Sequence, residues 1–329
     1  MVARTVLIDT DTGVDDGLAV IYALGRSELD VVGLTTVFGN TEVEQVTRNT
    51  AVILERLGRN DIPLAQGAAK GLLGTPLFWP EIHGADGFGN SGLRPSEVTL
   101  DERGAAQLIV DLSKRYAGEL EVIALGPLTN VAIALLLDPS AAGRIKRVVW
   151  MGGAVGWPGN VSPLAEADVA HDPEAGQIVI ESGVPVTLVP LDVTDDTLFR
   201  EADLERVRKS DTPAAELVAA VAPHYMEFYS HRLGEYACAM HSPLTVGVVA
   251  LPHLVTRAES YPMAIELAPG LCRGATVADR RRRPGELAET LMRAPLVEVV
   301  EVVDRDGFIA DFVATVSSMA APSSAEAER

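Results

Sequence analysis

Four aspartates, Asp9, Asp11, Asp15 and Asp16, fall within the ten-residue stretch IDTDTGVDDG at positions 8–17. They follow directly on the apolar run TVLI, so they stand at the end of what reads as a buried strand. Two explanations compete. Asp9 or Asp11 could cap a helix starting near Val14, with Asp15 and Asp16 in its first turn, where the helix dipole favours negative charge. That accounts for two carboxylates, or three. Four so close together repel one another and raise their pKa values unless a cation neutralises the group, which favours a metal site. Carboxylates without nearby Cys or His select a hard cation, Ca2+ or Mg2+.

Two metal-linked motifs can be tested against the stretch. An EF-hand fails, because the fifth position counted from Asp9 is Gly13 and the twelfth is Val20 rather than a bidentate Glu. An Mg2+-dependent phosphatase with an aspartate nucleophile, D-x-D-x-[TV], is met by Asp9 and Asp11 until Gly13 replaces the Thr or Val. It stays open as an alternative.

The elements that must position these groups alternate along the chain. Short β-branched runs at 5–9, 31–39, 120–126, 145–153 and 184–193 are separated by segments with apolar residues at three- and four-residue spacing. This predicts an α/β fold with a mostly parallel central sheet, and because the strands are apolar nearly throughout, helices on both faces. Ligands bind beyond the carboxyl ends of parallel strands. The polar residues that follow these strands should therefore meet in one crevice. After residue 200 the pattern turns to helices (AAELVAAVAPHYMEFYSHRL, then SPLTVGVVAL) and a hairpin of LVTRAESYPMAIEL with GATVADRR. A single domain over 1–315 with a helical cap is expected, followed by a tail at 316–329 without fixed structure.

At 329 residues and 47% hydrophobic, the chain can bury a large core. Its net charge of −19 argues against duplex nucleic acid or an acidic membrane surface as partner. No stretch approaches the ~20 apolar residues of a membrane span, and no leader pattern precedes the first strand. Cys238 and Cys272 are the only cysteines and lie outside any CxxC, which suggests neither a disulfide framework nor a cysteine zinc site. A cytoplasmic location is expected.

The series of motifs resembles the calcium-dependent nucleoside hydrolases that prefer inosine and uridine. Their fingerprint D-x-D-x-G-x-D-D is met by Asp9, Asp11, Gly13, Asp15 and Asp16. TTVFGN, IHGADGFG, LGPLTN, VVWMGGA, PGN, AEAD, HDPEA, LDVT and ATVADRR then follow in order. The resemblance spans the chain to about residue 315 and implies hydrolysis of an N-glycosidic bond in a ribonucleoside, with one Ca2+ per subunit and a homodimer or homotetramer. By position it makes Asp11 the general base, and Asp15, Asp16 and the Leu125 carbonyl ion ligands beside it. Asn40, His83, Asn160 and Glu166 would hold the substrate, and His241 would face the leaving base. Anionic groups beneath the anomeric carbon suit an oxocarbenium-like transition state. A histidine suits protonation of a departing base.

Simpler roles compete with several of these. A lone His83 or His241 is more often a polar loop residue. Asn40 and Asn160 adjoin glycines and could serve turns. Arg280 to Arg283 read as a solvated run. Trp79, Trp157, Tyr225 and Tyr229 read as core packing before base stacking.

Two positions depart from the family pattern, both on the side that reads the 3′-hydroxyl. The family's His-Asp-Pro, whose Asp ligates calcium, is here His241, Ser242, Pro243, and the Asn of A-E-x-N is Asp168. Three consequences are open. Asp168 could restore the lost charge as ion ligand or sugar contact while Ser242 donates a hydrogen bond; the sugar could be altered at the 3′ position; or catalysis could be lost, leaving a nucleoside-binding paralogue.

Overall fold

A computed structural model of the protein describes residues 3–281 and 294–319. The chain opens with β1 (Arg4–Thr10), α1 (Val14–Leu24), β2 (Leu29–Thr36), α2 (Val43–Arg56) and β3 (Leu64–Gln66). It continues through α3 (Pro80–His83), α4 (Ala105–Arg115), β4 (Glu121–Ala124), α5 (Thr129–Leu137) and β5 (Arg147–Met151). Then come α6 (Ala167–His171), α7 (Pro173–Glu181), β6 (Val186–Val189), α8 (Leu191–Thr194), β7 (Leu198–Arg200) and α9 (Glu201–Arg208). The last part holds α10 (Pro213–Leu233), β8 (Ala237–Ala239), α11 (His241–Ala250), β9 (Val255–Ile265), β10 (Thr276–Ala278), β11 (Leu296–Val303) and α12 (Arg305–Ser318).

Nine strands form one sheet in the order β10-β9-β11-β6-β5-β4-β1-β2-β3. From β3 to β11 every neighbour is parallel, and β9 and β10 close one edge antiparallel. Because side chains alternate across a strand, Val6 and Ile8 enter one apolar cluster and Leu7 the other. The first cluster draws in α1, α2 and α9 to α12, the second α4, α5 and α7, so helices cover both faces as the unbroken apolar strands require. Among the described residues no helix is long and apolar enough to cross a membrane.

The cap is α10, whose start is held by the Thr212 hydroxyl accepting from the Ala215 N–H at 3.0 Å and whose end is turned by Gly234 at φ 72. It packs on α9 and on the small two-stranded antiparallel sheet of β7 and β8.

The sequence expectations needed correction in three places. The run expected as strand through 193 ends at Val189, because Pro190 supplies no N–H and starts the short helix α8 instead. Neither Asp9 nor Asp11 caps α1; Asp16, in its first turn, reaches back to the Gly13 N–H at 3.1 Å. α12 runs through Ser318, into the segment expected to be a tail, and 320–329 lie outside the described residues. Arg280 and Arg281 are exposed, as the solvated run implied, with Arg280 over the Tyr261 ring and Arg281 paired with Asp279, while Arg282 and Arg283 lie outside the described residues.

Candidate active site

Beyond the carboxyl ends of β1, β2, β4 and β5 the strands give way to loops that enclose a cavity of about 480 Å3. Asp15, Asp16, Asn40, His83, Leu125, Asn160, Glu166, Asp168, His241 and Ser242 all line it. These residues span more than two hundred positions of sequence, and the parallel topology brings them together because every connection returns to the same sheet edge. Asp11 does not line the cavity. It is 1% exposed and sits beneath, its Oδ2 accepting from the Asn40 N–H at 2.8 Å. Glycines make room for it: a Cβ on Gly39 would run into its carboxylate, and one on Gly126 would come within 2.9 Å.

The carboxylates are held unequally. Asp16 has both oxygens engaged, Oδ2 by Gly13 N–H and Asn40 Nδ2 (2.7 Å) and Oδ1 by the Ser242 hydroxyl (2.9 Å). Among the described residues the Asp15 carboxylate receives only the Ser242 N–H from another residue, at 3.4 Å. Asn40 thus serves two aspartates rather than its own turn. Glu166 is saturated by main-chain donors, Gly153 (2.9 Å), Asp168 (3.0 Å) and Val169 (3.3 Å). Asp168 is 7% exposed, and among the described residues its carboxylate accepts no hydrogen bond. Asn160 lies exposed on a loop pinned at its base by Val155 N–H and Gly156 N–H to the Asp192 carboxylate.

Burial sets the charge state of this floor. Desolvation, with repulsion from Asp16, pushes Asp15 up to about 7, and desolvation takes Asp16 to about 6 against its own hydrogen bonds. Asp11 is raised by burial and by Asp16, and Asp168 by burial and by Glu166, then by Asp11. Behind the floor Asp9 is fixed by Thr35 (2.6 Å) and Asn130 (2.8 Å), yet burial still lifts it to about 7.

A hard cation fits this donor set. Among the described residues the buried Asp11 Oδ1 has no hydrogen-bond partner, and Asp11, Asp15, Asp16 and Asp168 are each made costly by desolvation that a positive charge would relieve. Among the described residues no three His, Cys, Asp or Glu side chains form a closed cluster of metal ligands. Other oxygens, such as the Leu125 carbonyl, the Ser242 hydroxyl, water or substrate hydroxyls, would complete the mixed shell that hard cations accept.

The remaining wall is built of rings. His241 opens α11 with Nδ1 on the Thr194 hydroxyl and Nε2 on the Tyr229 hydroxyl, both at 2.8 Å, and Tyr225 extends the chain to Tyr229 at 3.4 Å. Burial keeps the His241 pKa below the ordinary histidine value. His83 stacks on Tyr225 with ring centroids 5.2 Å apart, its Nδ1 taken by the Val14 N–H, and burial takes its pKa down to about 3. Tyr225 and Tyr229 pack in the core as expected and also line the cavity with Trp79, whereas Trp157, expected as core, is 40% exposed and donates from Nε1 to Asp195. Thr194, inside LDVT, was legible only as part of a motif, not as the partner of His241.

The profile of the inosine-uridine preferring nucleoside hydrolases matches residues 6–310. The chain belongs to this nucleoside hydrolase family. "Probable uridine nucleosidase 2" of Oryza sativa subsp. japonica is 37% identical over 276 residues, covering 83% of this chain and 81% of that protein. Among solved structures, a plant nucleoside hydrolase superposes with a TM-score of 0.90 at 30% identity, over 96% of this chain and 100% of that one. The purine-preferring ribonucleoside hydrolase from Gardnerella vaginalis gives 0.87 at 32%, over 96% and 99%. The nucleoside hydrolase resemblance is borne out, and the activity is hydrolysis of the N-glycosidic bond of ribonucleosides.

Proposed function

We propose that this nucleoside hydrolase releases the base from a ribonucleoside by attack of a water that Asp11 deprotonates, in a site that would hold Ca2+. Support comes from one observation above all: a buried carboxylate oxygen of Asp11 stands without a partner directly beneath the floor of the nucleoside-sized cavity. When bound, Ca2+ would hold the water near the sugar and lower its pKa modestly, so a carboxylate base remains necessary. Asp15 and Asp16, with the Leu125 carbonyl, would hold the ion. Asn40, Asn160 and Glu166 would bind the ribose, with His83 packed behind the base.

The anionic floor would stabilise positive charge as it develops on the ribose ring. His241, with Nδ1 on Thr194 and Nε2 on the Tyr229 hydroxyl, would pass a proton to the departing base either through that hydroxyl or by releasing it. For the two unusual positions, Ser242 keeps Asp16 in place through its hydroxyl, and Asp168 returns the carboxylate that Ser242 lacks, as ion ligand or sugar contact. The phosphatase alternative loses ground at Gly13, where a Cβ would meet Asn40 and His83 at 2.6 Å, so the Thr or Val it needs has no room. The same reading takes the enzyme as a cytoplasmic homodimer or homotetramer, which light scattering would check.

The decisive experiment is chromatography of inosine, uridine and their 3′-altered analogues incubated with the enzyme, with and without a calcium chelator. Free base that appears only with calcium supports the proposal. Base release unaffected by the chelator, or none from any nucleoside, overturns it.

A further inference from the structure

Helix α6 is five residues long, and its two ends are tied to different parts of the site. At its start lie Glu166 and Asp168 on the cavity wall. At its end, His171 and Asp172 grip the loop of residues 67–79 that joins β3 to α3. The His171 Nε2–H donates to the Leu77 carbonyl at 2.8 Å, and Asp172 Oδ2 accepts from the Leu72 N–H at 2.9 Å. The same Asp172 oxygen accepts from the Thr129 hydroxyl at 2.6 Å, which fixes it to the LTN motif. The Trp79 ring packs on the His171 imidazole with centroids 5.2 Å apart, while Phe38 meets that imidazole edge-on at 5.6 Å. Gly71 lies so near the His171 carbonyl that a Cβ there would come within 2.8 Å. Leu73 and Leu77 are 77% and 60% exposed, so side-chain burial does little to hold this part of the loop.

We infer that His171 is a positioning residue for base binding: through Leu77 and Trp79 it sets the cavity wall contributed by loop 67–79, from the same short helix that carries the sugar-side carboxylates. The inference rests on the nucleoside reading above. Its mechanical content does not, because the clamp exists whether or not a nucleoside is cleaved. A hydrogen bond to a main-chain carbonyl is what selects one arrangement of a loop with little apolar anchoring. Loss of that bond should spread Trp79 over several positions and weaken the base half of the site while leaving Glu166 and Asp168 in place.

The test compares His171→Leu, which keeps bulk without the donor, with His171→Gln, which keeps a donor. Hydrogen–deuterium exchange should rise in His171→Leu across residues 71–80 and stay unchanged across 165–170. In turnover, KM for the nucleoside should rise about fivefold or more with kcat within about twofold, inhibition by free ribose should not change, and His171→Gln should recover most of the KM. Unchanged exchange across 71–80 overturns the inference, as does equal weakening of ribose and nucleoside, which would mark general damage to α6. If the wild-type enzyme cleaves no nucleoside, the functional reading fails, and the exchange data still decide whether His171 holds the loop.

Discussion

The carboxylate floor and the aromatic wall of the cavity solve opposite problems. Asp11, Asp15 and Asp168 crowd buried negative charge with few donors to balance it, so their pKa values rise. Thr194, His241, Tyr229 and Tyr225 instead satisfy one another through hydrogen bonds of 2.8 to 3.4 Å. The first arrangement is completed by a ligand, and the second is finished without one. A fold can store binding energy as unrelieved repulsion in one half of a site because the other half is rigid enough to keep it in place.

Removing the carboxylate base should break the comparison most strongly. Asp11→Asn is expected to lower kcat by about three orders of magnitude in a base-release assay, the middle of the range for general-base loss. His241→Ala should cost about a hundredfold on ordinary nucleosides and much less on p-nitrophenyl riboside, whose leaving group needs no proton. Equal losses on both substrates would mean that the ring side acts on the sugar after all. Tyr229→Phe, which deletes only the hydroxyl that reaches His241 Nε2, should cost about tenfold in kcat with KM little changed.

The smallest effect is on stability. Asp15 and Asp16 have folded pKa values of about 7 and about 6, above the ordinary 3.8, so the folded state binds more protons than the unfolded chain in the window between these values. The metal-free protein should therefore lose stability as pH rises from about 4 to 7, and calcium should raise Tm more at pH 8 than at pH 5, by a few degrees. A calcium shift that shrinks with rising pH would show that the carboxylates are not strained in the way described.

The sheet was legible because β1, β2, β4, β5 and β6 are apolar on both faces, and most of the charged floor because its fingerprint occupies one strand end. The aromatic wall was not. Tyr225 and Tyr229 stand four apart on α10, a spacing that core packing and a cavity wall share, and only the position of α10 distinguishes them. β3 and β7, three residues each, are too short to carry a period. β11 was hidden for another reason: it inserts between β6 and β9, pairing Glu298 with Thr187 across more than a hundred residues, which no local pattern encodes. That Ser242 would donate a hydrogen bond was expected from its hydroxyl, but that Asp16 would accept it was beyond reach, since the two lie far apart in the chain.

That clamp joins residues 226 positions apart. A contact of such sequence separation closes only after the intervening chain has folded, so it belongs to the slow, late part of assembly. No fragment ending before α11 can reproduce it. An ion bound between β1 and α11 would consequently report completion of the whole fold, and its binding would oppose global unfolding rather than the local opening of a loop.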